Sequence, residues 1–292
     1  MTAHYVSGPT GIEISVIVPF YNAEPYIEQC AQALLAQTYP STGYEIIMVD
    51  NNSTDRSAAI VREYPRIQLL SERKQGAYAA RNRGVAASAG RTLAFTDPDC
   101  VPAYDWLSQI ETAMRRSGAA VVVGSHQPAR DSFLLRMLED YENEKNNFIF
   151  SSTMKAVYYG YTNNMAVRKT LFDELGPFIE MTRGADVVFV RRCVDRYSCD
   201  SVWYAPEIRV RHMEIDSPRR YFEKVFTYGN SIQNYGDIAN ARSITNWERF
   251  LVFRKTVQTQ NYSWPRSALL LGTLLIGGLY WICGSITGRW SG

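Results

Sequence analysis

The residues best placed to do chemistry are three carboxylates and one imidazole. Asp97 and Asp99 stand in TLAFTDPDCVP (92–102), where an apolar run ends in two acids separated by one proline. Carboxylates that close repel each other, and a divalent cation relieves the repulsion while accepting hard oxygen ligands. The plainer alternative is a strand end entering a turn, with Asp97 and Pro98 as turn residues. A cation held by so few carboxylates keeps waters and takes phosphate oxygens, as Mg2+ or Mn2+ does in phosphate chemistry. Asp186, in RGADVVF (183–189), opens a helical pattern after a Gly-Ala step. It is either an acid stabilised by the helix dipole or a general base for an attacking hydroxyl. His212, in VRHME, is either structural or a third metal ligand.

Two further constellations surround these groups. PFYN (19–22) and VDNNSTD (49–55) place Pro19, Tyr21, Asp50 and Asn51 at the ends of two apolar runs. An aromatic face and hydrogen-bonding side chains can grip a heterocycle, although the same residue types serve turns and helix caps. QGAYAARNRG (75–84) sets Gly76 before a helix, a natural seat for phosphate. It fits neither a dinucleotide fingerprint nor a P-loop. Arg81 and Asn82 could reach a pyrophosphate or brace the carboxylate pair.

These groups need a scaffold, and the first half alternates strand and helix signals. Continuous apolar runs at 14–20, 44–50, 67–71, 92–96 and 119–124 read as strands. Helical patterns at 24–37, about 55–64, 77–88 and 105–116 separate them. This predicts an α/β fold: a mostly parallel, Rossmann-like sheet flanked by helices through right-handed crossovers. Ligands of such sheets sit beyond the carboxyl ends of the strands, so 21–22, 50–51 and 97–99 should converge. The second half reads as a helix at 131–147, a strand within 158–168 ending at Val167, a helix at 185–196 and a strand at 201–210. Aromatic-rich helices at 218–235 and 246–257 follow.

Composition narrows the class. The chain has 292 residues, net charge +2, 46% hydrophobic and 21% charged residues, which is globular and carries no nucleic-acid footprint. Five scattered cysteines and three histidines form no zinc or disulfide pattern, and the thiols read as reduced in a cytosolic setting. No signal peptide is read at the N-terminus. Residues 267–288 carry no charge, and Trp264, Trp290, Arg266 and Arg289 flank them. The segment is long enough to cross a bilayer. Arg254, Lys255 and Arg266 before it, against Arg289 beyond it, put the main domain on the cytoplasmic side. A helix docked on the domain or in another subunit is the alternative.

In order and spacing, VIVPFYN, VDNNSTD, KQGAYAARNRG, FTDPDC, TNNMAVRK and GADVVF resemble the family 2 glycosyltransferases. The resemblance covers 14–212 and implies an inverting enzyme with the A-type nucleotide-diphospho-sugar transferase fold. It implies that Pro19, Tyr21 and Asn51 line the nucleobase pocket with Asp50 beside them. Asp97 and Asp99 would hold Mn2+ or Mg2+ against the donor diphosphate, and His212 would join them at the metal. Asp186 would be the catalytic base, and Asn164 a polar group near donor sugar and acceptor. Departures are Asp50-Asn51 and Ala185-Asp186, where many members carry two acids, and the missing Gln-x-x-Arg-Trp of processive synthases. The implied partners are a nucleotide-diphospho-sugar, a saccharide or lipid-linked acceptor, and a membrane. The implied division is an extension at 1–13, a catalytic domain at 14–213 with halves meeting at 125/126, interfacial helices at 214–265 and a membrane helix at 266–288. Three rivals remain. Asp97-Pro-Asp-Cys-Val101 also fits a haloacid-dehalogenase-type phosphohydrolase with Asp97 as nucleophile. Arg73 and Lys74 would suit a nucleotidyltransferase. A silent membrane scaffold is the third.

Overall fold

The computed structural model describes residues 11–288. Residues 1–10 of the expected extension lie outside that range, as do Arg289 and Trp290. All seven residues of β1 (Ile14–Phe20) are buried, as a run without a polar face requires. β1 pairs in parallel with β2 (Tyr44–Asp50) on one side and β4 (Thr92–Thr96) on the other. β3 (Ile67–Ser71) forms one sheet edge beside β2. Beyond β4 the direction reverses: β7 (Asn164–Arg168) is antiparallel both to β4 and to β6 (Val121–Pro128). β8 (Val202–His212) runs parallel to β6, and the short β5 (Cys100–Pro102) pairs antiparallel with its end. The sheet is therefore mixed, parallel through the N-terminal half. The expected border at 125/126 falls inside β6, where pairing with β8 slips between Gly124 and Ser125. The two halves share one sheet.

Alternate strand residues feed two apolar layers, because successive side chains point to opposite faces. Val16, Val18 and Phe20 pack with α1 (Ile27–Leu35) and α4 (Trp106–Ser117), and α2 (Ser57–Arg62) contributes Val61. Ile17, Leu93 and Phe95 face α3 (Ala77–Ala87), α5 (Phe133–Phe150), α6 (Lys169–Leu175) and α7 (Ala185–Arg196). At the centre of the second layer, Phe178 has Phe95, Phe172, Phe189 and Tyr78 at ring distances of 5.2 to 5.6 Å. Asn82 clamps the backbone of that residue, donating to the Phe178 carbonyl and accepting from its N–H. α3 and α7, which carry site residues, are thus locked to each other through one ring.

Three helices follow the sheet: α8 (Pro218–Ala239), α9 (Asn246–Thr259) and α10 (Trp264–Gly288). α9 starts at a capping box made by Thr245 and Glu248. α10 docks along α8, with Phe222 and Tyr280 stacked at 5.2 Å.

Candidate active site

Strand ends bring the chemistry together. β4 stops at Thr96, so Asp97 emerges from the carboxyl edge of the sheet beside the ends of β1 and β2. Pairing of β5 with β8 sets Cys100 opposite His212 and carries Asp99 to the imidazole. His212 Nδ1 lies 3.6 Å from Asp99 Oδ2. The ring is 3% exposed, and this nitrogen has no hydrogen-bond partner. Burial, with Lys224 and His126 nearby, drives His212 down to about 2, so the imidazole is neutral and free to ligate. Burial and the charge of Asp97 push Asp99 up to about 7. An orphaned buried nitrogen facing a carboxylate that resists ionisation fits a divalent cation, which would satisfy both groups. Cys100 completes the set of donor atoms lying within 4.8 Å of one another. Burial keeps its thiol far above the usual range, so it stays protonated and a poor ligand for a hard cation. Asp97 lies outside that tight set: its Oδ1 is held by Arg81 at 2.5 Å.

Arg81 is 4% exposed, and its guanidinium sits over the Tyr78 ring, 5.1 Å from the centroid. Of the two carboxylates it holds Asp97 alone. Tyr78, one turn earlier on the same face of α3, donates to Asp186 Oδ1 at 2.9 Å. Burial pushes the Tyr78 hydroxyl well above the usual phenol range, so it remains a donor. Asp186 Oδ2 accepts from the Thr162 N–H at 3.1 Å. Burial raises Asp186 above the usual carboxylate range, while the Thr162 N–H, Arg81 and Tyr78 pull it back. Asp186 is half-buried in the first turn of α7. Gly184 precedes it with φ 90°, and a Cβ there would lie 2.1 Å from the Tyr235 ring of α8. One chain of contacts therefore runs from Asp97 through Arg81 and Tyr78 to Asp186, and the His212–Asp99 pair lies close enough to Asp97 to feel its charge.

The other expected residues divide by what the fold leaves free. Tyr21 is 52% exposed at the end of β1, with Pro19 buried behind it, and is free to stack. Asp50 Oδ1 caps the following turn by accepting from the Ser53 N–H at 3.0 Å. Asn22 ties the two loops together, its Oδ1 accepting from the Thr54 N–H at 2.8 Å. Asn51 is 2% exposed: Nδ2 donates to the carbonyls of Glu72 and Lys74, and Oδ1 accepts from the Gly76 N–H. Its polar atoms are occupied in shaping the 72–76 loop, and the Gly76 N–H is spent there rather than offered to phosphate. Asn164 also departs from expectation. It is fully buried, Nδ2 donates to the carbonyls of Ser125 and Ile208, and Oδ1 accepts from Trp106 Nε1. It braces β6, β7, β8 and α4 and presents no free polar atom to a sugar.

Sequence reasoning passed over Tyr78, Thr162 and Lys224. Tyr78 was legible as the residue three before Arg81 on one helix face. Lys224, paired with Glu214 at 3.0 Å and close enough to Asp99 to act on its charge, arrives from α8, and no local pattern announces it.

The α/β/α sandwich that carries these groups is shared with solved A-type transferases. The mannosyltransferase PcManGT from Pyrobaculum calidifontis, in complex with GDP-Man and Mn2+, superposes with TM-score 0.65, covering 95% of this chain and 87% of that one at 18% identity. S. aureus TarS 1-349 in complex with UDP-GlcNAc gives 0.55 over 84% of this chain and 72% of that one, also at 18% identity. At such identity the likeness establishes the fold. The chain belongs to glycosyl transferase family 2, whose profile matches residues 15–176. It is 32% identical over 198 residues to glycosyltransferase AglE of Haloferax volcanii, covering 62% of this chain and 61% of that protein. It is 37% identical over 124 residues to the putative teichuronic acid biosynthesis glycosyltransferase TuaG of Bacillus subtilis, covering 40% of this chain and 48% of that protein. The chain thus spans less than two thirds of these relatives' lengths. Family membership removes support for the phosphohydrolase alternative, and Asp97, ion-paired to Arg81, is not poised as a nucleophile.

Proposed function

We propose that the chain moves a sugar from a nucleotide-diphospho-sugar to an acceptor hydroxyl with inversion at the anomeric carbon, in cell-envelope glycan or lipid-linked saccharide synthesis. The observation that carries this reading is the pair Asp99 and His212, whose inward nitrogen is unpartnered, with the Asp97–Arg81–Tyr78–Asp186 contacts starting beside it, which sets a phosphate-side cation site and a half-buried base at one edge of the sheet. Asp99 and His212, with Asp97 alongside, would hold Mn2+ or Mg2+, which supplies positive charge to the departing diphosphate when bound. Asp186 accepts the proton of the acceptor hydroxyl. The acceptor oxygen bonds to the anomeric carbon, the bond from that carbon to the phosphate oxygen breaks, and the nucleoside diphosphate leaves. Tyr78 and the Thr162 N–H hold the Asp186 carboxylate in place. Tyr21, Pro19 and Asp50 receive the nucleobase, while Asn51 and Gly76 shape the adjoining loop.

The complex of PcManGT with GDP-Man and Mn2+ supports the donor class and the cation. The name of TuaG supports a glycan acceptor. Residues 14–213 would form the catalytic domain, held at a membrane through α10 on its cytoplasmic side, the side to which Arg254, Lys255 and Arg266 assign it. Incubation with a nucleotide-sugar panel and Mn2+ or Mg2+ tests the reaction. The expected result is cation-dependent release of nucleoside diphosphate with at least one donor, reduced about a hundredfold or more by Asp186→Asn. An undiminished variant would remove Asp186 from the mechanism.

A further inference from the structure

α10 has the length and composition of a bilayer-crossing helix, yet it is attached along most of its axis to α5 and α8. Arg266 lies over the Phe133 ring of α5 at 5.3 Å. Leu270 is fully buried with Met137, Tyr141 and Val252. Gly277 approaches Phe222, and Tyr280 stacks on that ring. A Cβ on Gly229 would lie 2.2 Å from the Trp281 carbonyl oxygen, and one on Gly284 would lie 2.1 Å from that of Phe226. The α8 and α10 backbones therefore touch, as helices do only where glycine removes the side chain. From Arg266 to Gly284 these contacts cover about 27 Å of helix axis, close to the full hydrocarbon thickness of about 30 Å.

A crossing α10 would drag its partners with it. α8 carries Arg219, Arg220, Glu223 and Lys224 beside Phe222, and α5 carries Asp140, which accepts from the Tyr262 hydroxyl. Placing those charges in hydrocarbon is prohibitive. The outward side of α10 is nevertheless apolar: Leu271, Leu275, Leu279, Ile282 and Ile286 recur at helical spacing and are all exposed, Leu275 at 65%. Only 22% of its most apolar stretch is buried. Trp264 at the start of the helix and Trp247, Arg254 and Lys255 on α9 are exposed, residue types that seat in anionic headgroups.

We propose that α10 does not cross the bilayer but lies in its plane, with the Leu271–Ile286 stripe immersed in one leaflet and the other side fixed to α8. The proposal rests on the membrane reading of α10 given above. α8 then acts as the coupling element. Phe222, Phe226 and Gly229 form its face toward α10. Tyr221, Lys224, Tyr228 and Tyr235 recur on the other side, where Lys224 neighbours Asp99 and Tyr235 covers Gly184 beside Asp186. The helix that roofs the site is thus the one welded to the membrane helix, and the acceptor class it suits is an amphiphile presented from the lipid surface.

The test adds the full chain to preformed phosphatidylcholine vesicles with or without phosphatidylglycerol. Flotation reads binding, and an impermeant maleimide reads the position of a single cysteine appended after Gly292, with Cys199→Ser and Cys283→Ser in the background. The expected results are anionic-lipid-dependent flotation and labelling from outside without detergent. Leu275→Glu with Leu279→Glu should weaken binding by about a hundredfold, tenfold per leucine. Leu275→Ala with Leu279→Ala should give an intermediate loss. Donor-dependent nucleoside diphosphate release in detergent, unchanged in both variants, shows that they fold. A terminal cysteine protected until detergent is added would mean that α10 crosses, and flotation indifferent to the leucines, with dimers in solution, would assign the stripe to a second copy. Either overturns the proposal, and neither bears on the transfer reaction.

Discussion

Tyr78 and Arg81 connect the two ends of the chemistry through the ring of one and the guanidinium of the other. The base role proposed for Asp186 requires the deprotonated form, and burial sets its carboxyl above the usual range. Activity is therefore present above that pKa and lost as pH falls through it. The Tyr78 hydrogen bond lowers the pKa, so Tyr78→Phe should shift the acidic limb of the kcat/KM profile to higher pH. Turnover on that limb should drop about tenfold and recover under alkaline conditions. An unmoved limb would show that the bond does not tune the base. Arg81→Met keeps the side-chain length and removes the charge, leaving Asp97 unpaired. Because the guanidinium is buried and Asp97 is 30% exposed, the expected cost is about 3 kcal/mol in denaturant unfolding. A cost below about 1 kcal/mol would mean that solvent already screens the pair.

At the scale of elements, the site is an agreement between strand ends and two helix starts. α7 can begin where it does because Gly184 adopts φ 90° and lets the Tyr235 ring approach. Gly184→Ala forces a methyl into both, so stability should fall by at least about 1–2 kcal/mol from the backbone alone. The displaced Tyr235 should also raise the acceptor KM more than it changes the donor KM. Equal changes in both would place Tyr235 away from the acceptor. The apolar runs of β1, β2 and β4 were legible because central strands show no polar face. α7 was legible because its helical pattern opens directly after Gly184. β5 and α6 were not, since three and seven residues repeat their period too few times to stand out, and β5 owes its form to pairing with β8. The same limit applies to Asn51 and Asn164. Their residue type announces hydrogen bonding, but only the fold decides that carbonyls rather than a ligand are the partners.

At the scale of the molecule, sequence order carried the family, and spatial neighbours carried the corrections. His212 reaches Asp99 because β8 pairs with β5, Lys224 because α8 folds back over the sheet edge, and α10 is held to the domain by glycines that hydropathy does not weigh. These long-range placements bring together the proposed cation site, the proposed base and the helix proposed to seat in the membrane. Its central claim is that a cation at Asp99 and His212 grips the donor diphosphate while Asp186 faces the reacting carbon. The most direct measurement is a crystal structure with donor and Mn2+, read by anomalous scattering. The account predicts a manganese peak between Asp99 and His212 in contact with diphosphate oxygens, and the Asp186 carboxylate on the opposite side of the anomeric carbon. A peak remote from both side chains, or a donor sugar turned away from Asp186, would contradict it.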